Sequence, residues 1–375
     1  MKGKNKIASQ WQSSTILQEN GMGCATEEMD CTTSVRQIDD FMIMLIHHNS
    51  DLVEKALNNR LMALPNSKSL YSTFMTCLRT DLAFVRKVFP QHRFSPYYEL
   101  YEQRMGDRLK ILALIHDADA DGLNKVVATL RRAARADAFR KQIDKHERAA
   151  RKNGNSVRRY IRALFDRYSR LRVIRLDLTY QRKYVETAYR LLKEDSAPPD
   201  PVTATEVAQH RDAFLEHIRK SYPSLVGYIW KIEHGVYKSF HMHWIIFLNG
   251  HEVMQDRTIA QAMGNHWATH ITNERGSYWN VNAQKGNYER LGMLGIGEVN
   301  WDDEDKRRAL ERVALYLAKV DYFIRLKAPS LGRIFGKGVA PKYGHSRLGR
   351  PRSRSVSEHH TRRSNHRDVA TSEQS

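Results

Sequence analysis

The spacing of the apolar residues changes near Leu171, and this change constrains the fold class more than any other feature of the chain. From about residue 35 to residue 150, apolar residues recur every three or four positions, which is typical of amphipathic helices. From Val173 to Tyr180 apolar and polar residues alternate, which predicts a strand with one apolar face. The chain therefore combines a helical first part with a second part built around strands.

The elements predicted after Leu171 follow the order β-α-β-β-α-β-β-α. Strands are expected at about 173–180, 225–233, 240–248, 277–282 and 292–299, and helices at about 203–221, 256–271 and 302–323. This order predicts an α+β fold with a central, mainly antiparallel sheet and flanking helices. We divide the chain into a poorly ordered N-terminus (1–34), an all-α domain with a basic linker (35–167), the sheet domain (168–340) and a disordered basic tail (341–375).

The charge of the chain suggests a polyanionic partner. Its 61 Lys and Arg residues against 42 Asp and Glu residues give a net charge of +19, of which the tail from Tyr343 contributes only +4. A folded body this basic is expected to bind nucleic acid, because each cation near a phosphate releases a condensed counterion. A very basic stretch between Arg140 and Arg172 is either a solvated helix face or a DNA-contacting one.

Neither the cysteines nor the hydropathy indicates export or a membrane. The three cysteines (Cys24, Cys31 and Cys77) lack metal-type spacing and are expected to be reduced thiols. No apolar stretch follows the first lysines, and no run is long enough to span a bilayer. We therefore expect a cytoplasmic protein with no membrane partner.

Two histidines separated by one residue stand in the predicted strand 240–248. Alternate residues of a strand face the same way, so His241 and His243 project together. Glu233 lies on the preceding strand, and a hairpin register that places it opposite His241 would complete an open, three-ligand metal site. The other interpretation is that both histidines are ordinary hydrogen-bonded residues.

The helix predicted after Asp302 contains Tyr316 and Lys319, which share a face because they are three residues apart. Tyr316 falls at the edge of the apolar stripe, where a tyrosine can pack its ring and direct its hydroxyl toward a polar cleft. An ordinary amphipathic aromatic residue is the alternative. With a divalent cation binding the scissile phosphate and Lys319 stabilising charge, this phenol could act as a nucleophile on a phosphodiester.

These motifs together resemble those of the inovirus-type replication proteins of filamentous phages and prophages, also described as the YagK/YfjJ C-terminal domain. The resemblance rests on Gly227–Glu233, His241-Met-His243, Gly295-Ile-Gly297 and Tyr316–Tyr322, and covers about residues 168–340. It implies an HUH-type endonuclease that initiates rolling-circle replication by nicking single-stranded or origin DNA.

The resemblance also implies residue roles. His241, His243 and Glu233 would bind Mg²⁺ or Mn²⁺, and Tyr316 would form a 5′-phosphotyrosine. Tyr322 lies about 120° around the helix from Tyr316 and is interpreted as structural. The predicted nucleic-acid contacts are Arg312, Lys231, Arg333 and Lys337.

The sequence is also compatible with other functions. A host helicase and replication machinery are expected partners, since no ATPase motif is present. The main alternative is a non-catalytic prophage DNA-binding regulator with a nuclease-like fold, and a further one is a tyrosine recombinase that holds phosphate with arginines. The run Asp117-Ala-Asp119-Ala-Asp121-Gly122 imitates half of an EF-hand loop and is interpreted as helix capping.

Overall fold

Helices dominate the first part of the chain, as the apolar spacing predicts. The computed structural model describes residues 17–19, 22–24, 27–181, 201–235, 238–290, 295–319 and 322–341. Up to the start of the sheet, its elements are β1 (Leu17–Glu19), β2 (Met22–Cys24), α1 (Glu27–His47), β3 (Val53–Lys55), β4 (Leu61–Ala63), α2 (Lys68–Leu78), α3 (Leu82–Val88), β5 (His92–Phe94), α4 (Pro96–Met105), α5 (Arg108–His116), α6 (Ala120–Arg135) and α7 (Asp137–Arg167).

The first part differs from its prediction in three places. Helix α1 begins at Glu27 and buries Cys31 and Val35, so residues 27–34 are not the poorly ordered segment expected there. Residues 53–63 lie in the region predicted to be helical, but α1 ends at His47 and a β3–β4 hairpin follows, with Asn59 in the left-handed region at its turn. Strand β5 pairs with a strand at residues 324–326, so the first part is not all-α.

The second part contains the predicted succession of strands and helices. Its elements are β6 (Arg170–Tyr180), α8 (Ala204–Ser221), β7 (Leu225–Gly235), β8 (Ser239–Asn249), α9 (Asp256–His266), β9 (Gly276–Asn280), α10 (Lys285–Arg290), β10 (Gly297–Asn300), α11 (Glu304–Lys319), β11 (Ile324–Leu326) and β12 (Phe335–Lys337). Strands β11 and β12 lie beyond the last predicted strand and were not expected. The predicted tail, apart from Pro341, lies outside the described residues.

Every pairing in the main sheet is antiparallel, as predicted. The strand order is β10-β6-β8-β7-β12, and β9 pairs with the other end of β6. Strict alternation gives the sheet two buried faces. Leu176, Met242 and Trp244 face a core formed with α8 and α9, whereas Val173, Ile245 and Phe247 face a core formed with α7 and α11. The apolar side chains on both faces explain why the central strands are almost completely buried.

Helices α7 and α11 lie antiparallel to each other on the second face. Arg158 of α7 donates to Glu311 of α11 over 2.7 Å, while His146, near the start of α7, donates to the Tyr322 carbonyl just beyond α11 over 2.7 Å. The amide of Trp301, just before α11, donates to Ser169 at the end of α7. Helix α11 therefore begins at the end of the sheet where β6 also begins, and it runs toward the opposite end.

A glycine allows α11 to approach the sheet closely. A Cβ atom at Gly295 would lie 2.2 Å from the backbone nitrogen of Leu310, a distance that real side chains do not show. Gly297, at the start of β10, has φ of +76°, which strongly favours glycine. These two conformational requirements explain the glycines in the Gly295-Ile-Gly297 segment and place α11 directly against it.

Polar side chains cap the first turns of several helices. Asp119 accepts a hydrogen bond from the Gly122 amide over 2.8 Å, which confirms capping by the aspartate run. Thr203 and Glu206 form a reciprocal capping box at the start of α8, and Asp303 accepts from the Lys306 amide before α11. In the described part of the chain, no helix has both the length and the apolar character needed to cross a bilayer.

Three stacked imidazoles between α8 and α9 predict acid sensitivity. The His217 ring lies 3.5 Å from that of His266, which in turn stacks on His270. Burial, and then His266 and His270, lower the pKa of His217 to about 4. The unfolded chain therefore binds more protons than the native protein between pH 6.5 and pH 4, so the free energy of unfolding falls as the pH decreases through that window.

We expect this group to cost about 1 kcal/mol of stability between pH 7 and pH 5, after a discount for partial solvent screening. Chemical denaturation of the wild type and of His217→Gln at both pH values measures the effect, with the exposed His116→Gln as the matched control. The His217→Gln protein should lose less stability on acidification than the wild type. An equal loss in all three proteins would contradict the prediction.

Candidate metal centre

Glu233, His241 and His243 converge on one point, as the hairpin hypothesis predicts. Glu233 is the direct cross-strand partner of His241, and His243 follows two residues later on the same face of β8. The Glu233 Oε2 atom lies 3.5 Å from Nε2 of His241 and 3.3 Å from Nε2 of His243. One ligand atom from each residue therefore falls within 4.8 Å of the other two.

The hydrogen bonds on the far side of each ring determine which nitrogen faces the centre. Nδ1 of His241 lies 3.1 Å from the Ser239 carbonyl, which can only accept, so this nitrogen carries the proton. Nδ1 of His243 donates to Oδ1 of Asp177 over 2.7 Å. With Nδ1 protonated in each ring, both rings in their neutral form would present the Nε2 lone pair toward Glu233, the tautomer that a metal ligand requires.

The charges at the centre are strongly coupled. Burial alone would raise the pKa of Asp177, but His243 and Arg175 outweigh it and hold that pKa below its usual range. Burial would likewise raise the pKa of Glu233, and the two histidines lower it well below the ordinary value. Burial lowers the pKa of His243, yet Asp177 and Glu233 raise it to about 9. Without a cation, a proton on His243 therefore compensates these carboxylates.

The geometry fits a divalent cation. Ligands at about 2.1 Å from an ion and 90–110° apart are separated by about 3.0–3.4 Å, close to the two distances from Glu233 to the imidazoles. Oε1 of Glu233 and Nε2 of His243 are buried and have no hydrogen-bond partner among the described residues. Such buried polar atoms are costly unless something binds them. Two imidazoles and one carboxylate form a donor set that accepts several divalent metals, Mn²⁺ among them.

Tyr316 lies on the same side of the sheet as this centre. Its side chain belongs to the buried core that also contains Ile229, Ile245 and Phe247, and these strand residues lie on the same face of the sheet as Glu233 and the two histidines. The side chain is only 6% exposed. Since α11 runs toward the end of the sheet that holds the histidines, Tyr316 occupies the later part of that path. Lys319 ends α11, and its side chain lies outside the described residues.

The structure gives Tyr322 a packing environment, in agreement with its structural interpretation. Its hydroxyl donates to Glu147 of α7 over 3.4 Å, and its ring lies 5.0 Å from that of His146. Burial and Glu147 raise the pKa of this phenol well above its ordinary value. Tyr322 is thus held against α7, away from the position of Tyr316 on its helix.

The four predicted nucleic-acid contacts occupy different environments. Arg312 is exposed on α11, one turn before Tyr316, and Arg333 is exposed just before β12. Lys337 lies partly buried on β12, with its ammonium group 4.7 Å from the Tyr160 ring centre. Lys231 is only 1% exposed and is the cross-strand partner of His243. Its side chain therefore lies beneath the surface beside the metal centre rather than on an outer DNA-binding surface.

Exposed aromatic rings can stack on bases, and the tryptophans of the sheet strands differ in their exposure. Trp230 and Trp244 are buried in the core on the other face of the sheet. Trp279 is 40% exposed and is the cross-strand partner of Asp177, on the same face as the metal centre. One row across the sheet therefore runs from Trp279 through Asp177 and His243 to Lys231.

Asp177 is the residue that the sequence reasoning missed. It stands in the first predicted strand, on the face opposite Leu176 and Leu178, where a lone carboxylate in a central strand is a usable signal. It pairs with His243 across the β6–β8 register, 66 residues away in the chain. Nothing local in the sequence indicates that register, so only the folded sheet shows the contact.

Replacing Asp177 with asparagine should weaken metal binding without removing a ligand. Partners of metal-bound histidines orient the ring and raise its basicity, and their loss typically costs about 10–100-fold in metal affinity. Titration calorimetry with Mn²⁺ measures the change. Asp212→Asn, an exposed carboxylate on α8, is the control and should bind Mn²⁺ like the wild type. Unchanged affinity in Asp177→Asn would contradict the assignment.

Comparison with known proteins supplies one match. A family model described as the YagK/YfjJ C-terminal domain matches residues 138–338, which include α7, the whole sheet and α11. No curated protein matches the chain, and no solved structure does.

Proposed function

This chain belongs to the YagK/YfjJ C-terminal domain family, and we propose that it is a DNA replication initiator of the HUH type, as in inovirus-type replication proteins. In this proposal it nicks single-stranded or origin DNA in a metal-dependent reaction and becomes linked to the 5′ end through Tyr316. The single observation that carries the proposal is the arrangement on one face of the sheet. Glu233, His241 and His243 form a cation site there, and α11 brings a tyrosine to that same face.

The residues have distinct tasks in this reaction. Glu233, His241 and His243 would hold Mg²⁺ or Mn²⁺, which when bound polarises a phosphate oxygen and offsets the charge that develops at phosphorus. Asp177 keeps His243 in the required tautomer. Trp279 offers an exposed ring on which a base next to the scissile phosphate can stack.

The proposed chemistry exchanges one phosphodiester for another. The Tyr316 hydroxyl oxygen attacks phosphorus and loses its proton, the bond from phosphorus to the 3′ oxygen breaks, and that oxygen leaves as a 3′-hydroxyl after taking up a proton. Little bond energy is lost, so a 3′-hydroxyl can reverse the step. This suits nicking and rejoining during rolling-circle replication. Lys319, one turn after Tyr316, is proposed to stabilise the phenolate or the phosphate.

The decisive experiment detects the covalent product. The full chain is incubated with a set of labelled single-stranded oligonucleotides and Mn²⁺, and the mixture is resolved on a denaturing gel. A DNA–protein adduct that requires Mn²⁺ supports the proposal, whereas an adduct that forms equally in EDTA would favour a tyrosine recombinase that uses arginines. No adduct with any oligonucleotide would contradict the nicking activity.

The burial of Tyr316 favours a second candidate. A phenol only 6% exposed is packed like a core aromatic residue, which fits a DNA-binding regulator that has this fold and does not cut. This candidate predicts DNA binding without an adduct under every metal condition. The nicking proposal instead requires that DNA binding brings the hydroxyl within reach of a phosphate, so the adduct assay separates the two.

A further inference from the structure

A continuous stripe of exposed cations runs along helix α7. The positions recur at steps of four and three residues and therefore lie on one side of the helix. All of them are exposed, and they are Lys141, Lys145, Arg148, Lys152, Arg159 and Arg162, with the exposed polar Asn155 filling the one gap. We call these six cations the α7 stripe. The opposite side of the helix carries Val157, Ile161 and Leu164, which are buried against the sheet.

The stripe consists of the cations that the fold leaves unpaired. Other arginines of the same basic stretch have structural partners: Arg151 pairs with Glu147, Arg158 with Glu311, and the buried Arg172 with Glu298. Within the described part of the chain, no carboxylate lies within ion-pairing distance of any member of the stripe. This includes Asp144, which is exposed beside it. Six cations in a row without counter-charges repel one another, and an extended external anion would relieve that repulsion.

The dimensions of the stripe indicate the form of that anion. At 1.5 Å per residue, Lys141 and Arg162 are about 32 Å apart along a straight helix, and successive cations are about 5–6 Å apart except for about 10 Å across Asn155. A rod of charge of this length spans about nine base pairs of duplex DNA at about 3.4 Å per pair. A small anion or a nucleotide could contact only one or two members at a time.

The stripe continues toward the metal centre. Arg159 lies close enough to Lys337 that, after burial, it contributes to lowering the pKa of that lysine. From Lys337, β12 runs antiparallel to β7 so that Phe335 is opposite Lys231, and the exposed Arg333 lies farther along toward Glu233. At about 3.4 Å per residue, Lys337 and Arg333 are about 14 Å apart along this edge. Basic side chains thus connect the helix with the edge of the sheet that carries the site.

From these observations we infer that the α7 stripe binds the phosphate backbone of duplex DNA flanking the strand that enters the metal centre. The inference rests on the proposed function for its partner, but not on cutting. Lysine and arginine side chains along this helix would contact phosphate groups rather than base edges, so the contact is independent of base identity. It holds the duplex in place while the adjacent single strand reaches the site.

The test neutralises the centre of the stripe. Lys145→Gln, Arg148→Gln and Lys152→Gln are combined in one protein, and the matched control combines Lys55→Gln, Arg60→Gln and Lys68→Gln, three exposed cations of the same types. Binding to a labelled 20-base-pair duplex is measured by fluorescence anisotropy in EDTA at several salt concentrations. Circular dichroism melting verifies that both proteins remain folded.

The stripe variant should bind the duplex at least about tenfold more weakly than the wild type in 0.1 M salt. Its slope of log K against log salt should fall by about 3, close to one for each lost phosphate contact. The control should retain the wild-type slope to within about 1. Equal losses in the two variants, or a loss confined to single-stranded DNA of the same length, would overturn the inference.

The same measurement separates this inference from the proposed function. Because EDTA and a Tyr316→Phe background exclude cutting, a stripe-dependent slope supports the inference even if no adduct ever forms. Conversely, if the wild type nicks DNA and the stripe variant keeps the full salt slope, the proposed function stands and the inference about the α7 stripe fails.

Discussion

Replacing Tyr316 with phenylalanine is expected to abolish adduct formation on single-stranded DNA, by at least about 1,000-fold in rate. The change removes one oxygen atom from a ring that packs among Ile229, Ile245 and Phe247, so the apolar packing is retained. The expected loss is therefore chemical, because phenylalanine has no nucleophile. Quantified denaturing gels of time courses in Mn²⁺ measure it, and the thermal unfolding midpoint should remain close to that of the wild type.

Tyr322→Phe is the matched control for this prediction. It removes a phenol from the same region of the chain, but that hydroxyl donates to Glu147 of α7. Adduct formation should persist in this protein at near wild-type rates. If the adduct survives Tyr316→Phe and disappears in Tyr322→Phe, the nucleophile has been assigned to the wrong tyrosine. If neither change has an effect, no tyrosine of this helix region is involved.

His241→Ala should strongly weaken metal binding, on which the proposed nicking depends. The histidine supplies one of three ligand atoms, and its loss leaves a carboxylate and a single imidazole, which bind a divalent cation poorly. Loss of a residue that only hydrogen-bonds to a metal ligand typically lowers metal affinity by about 10–100-fold. We expect a larger fall in Mn²⁺ affinity here, because a ligand itself is removed. Nicking at limiting Mn²⁺ should be lost in parallel. His241 is preferable to His243 for this test, because removing His243 would also deprive the partly buried Asp177 of its hydrogen bond to the imidazole.

His116→Ala is the corresponding control, since that ring is exposed and contacts only the neighbouring Asp117 among the described residues. It should bind Mn²⁺ and form adduct like the wild type. Calorimetry reports the affinity independently of the reaction, so a folded His241→Ala protein with unchanged Mn²⁺ affinity would refute the metal centre even if nicking were lost for another reason.

Much of the centre could be predicted because its parts are local. Alternation along one strand places His241 and His243 on a common face whatever the rest of the chain does. A short turn then leaves few registers for the preceding strand, and one of them sets Glu233 opposite His241, as the structure shows. The caps at Asp119 and Thr203 are predictable for the same reason, since each depends on residues within one turn.

Several of the differences from prediction depend on contacts between residues distant in the sequence. The helical spacing through Met62 was misleading because residues 53–63 form a hairpin that packs under α6, where Asn124 accepts from the Val53 amide. Strand β12 contains glycine and few apolar residues, and it exists because β7 offers an open edge. Lys231 was expected to contact DNA from its charge alone, and burial beside His243 became evident only in the fold.

The basic stretch before β6 illustrates the difference between what the sequence determines and what the fold determines. The amino-acid sequence by itself determined that these residues form a helix with cations on several sides, because periodicity and charge are properties of neighbours along the chain. Only the tertiary structure decided that Arg158 and Arg172 pair with distant carboxylates while the α7 stripe remains exposed. Likewise, the strand pattern oriented the imidazoles, but the register between β6 and β8 brought Asp177 to His243. Such pairings depend on which surfaces pack together, and that choice depends on the free energy of the whole core.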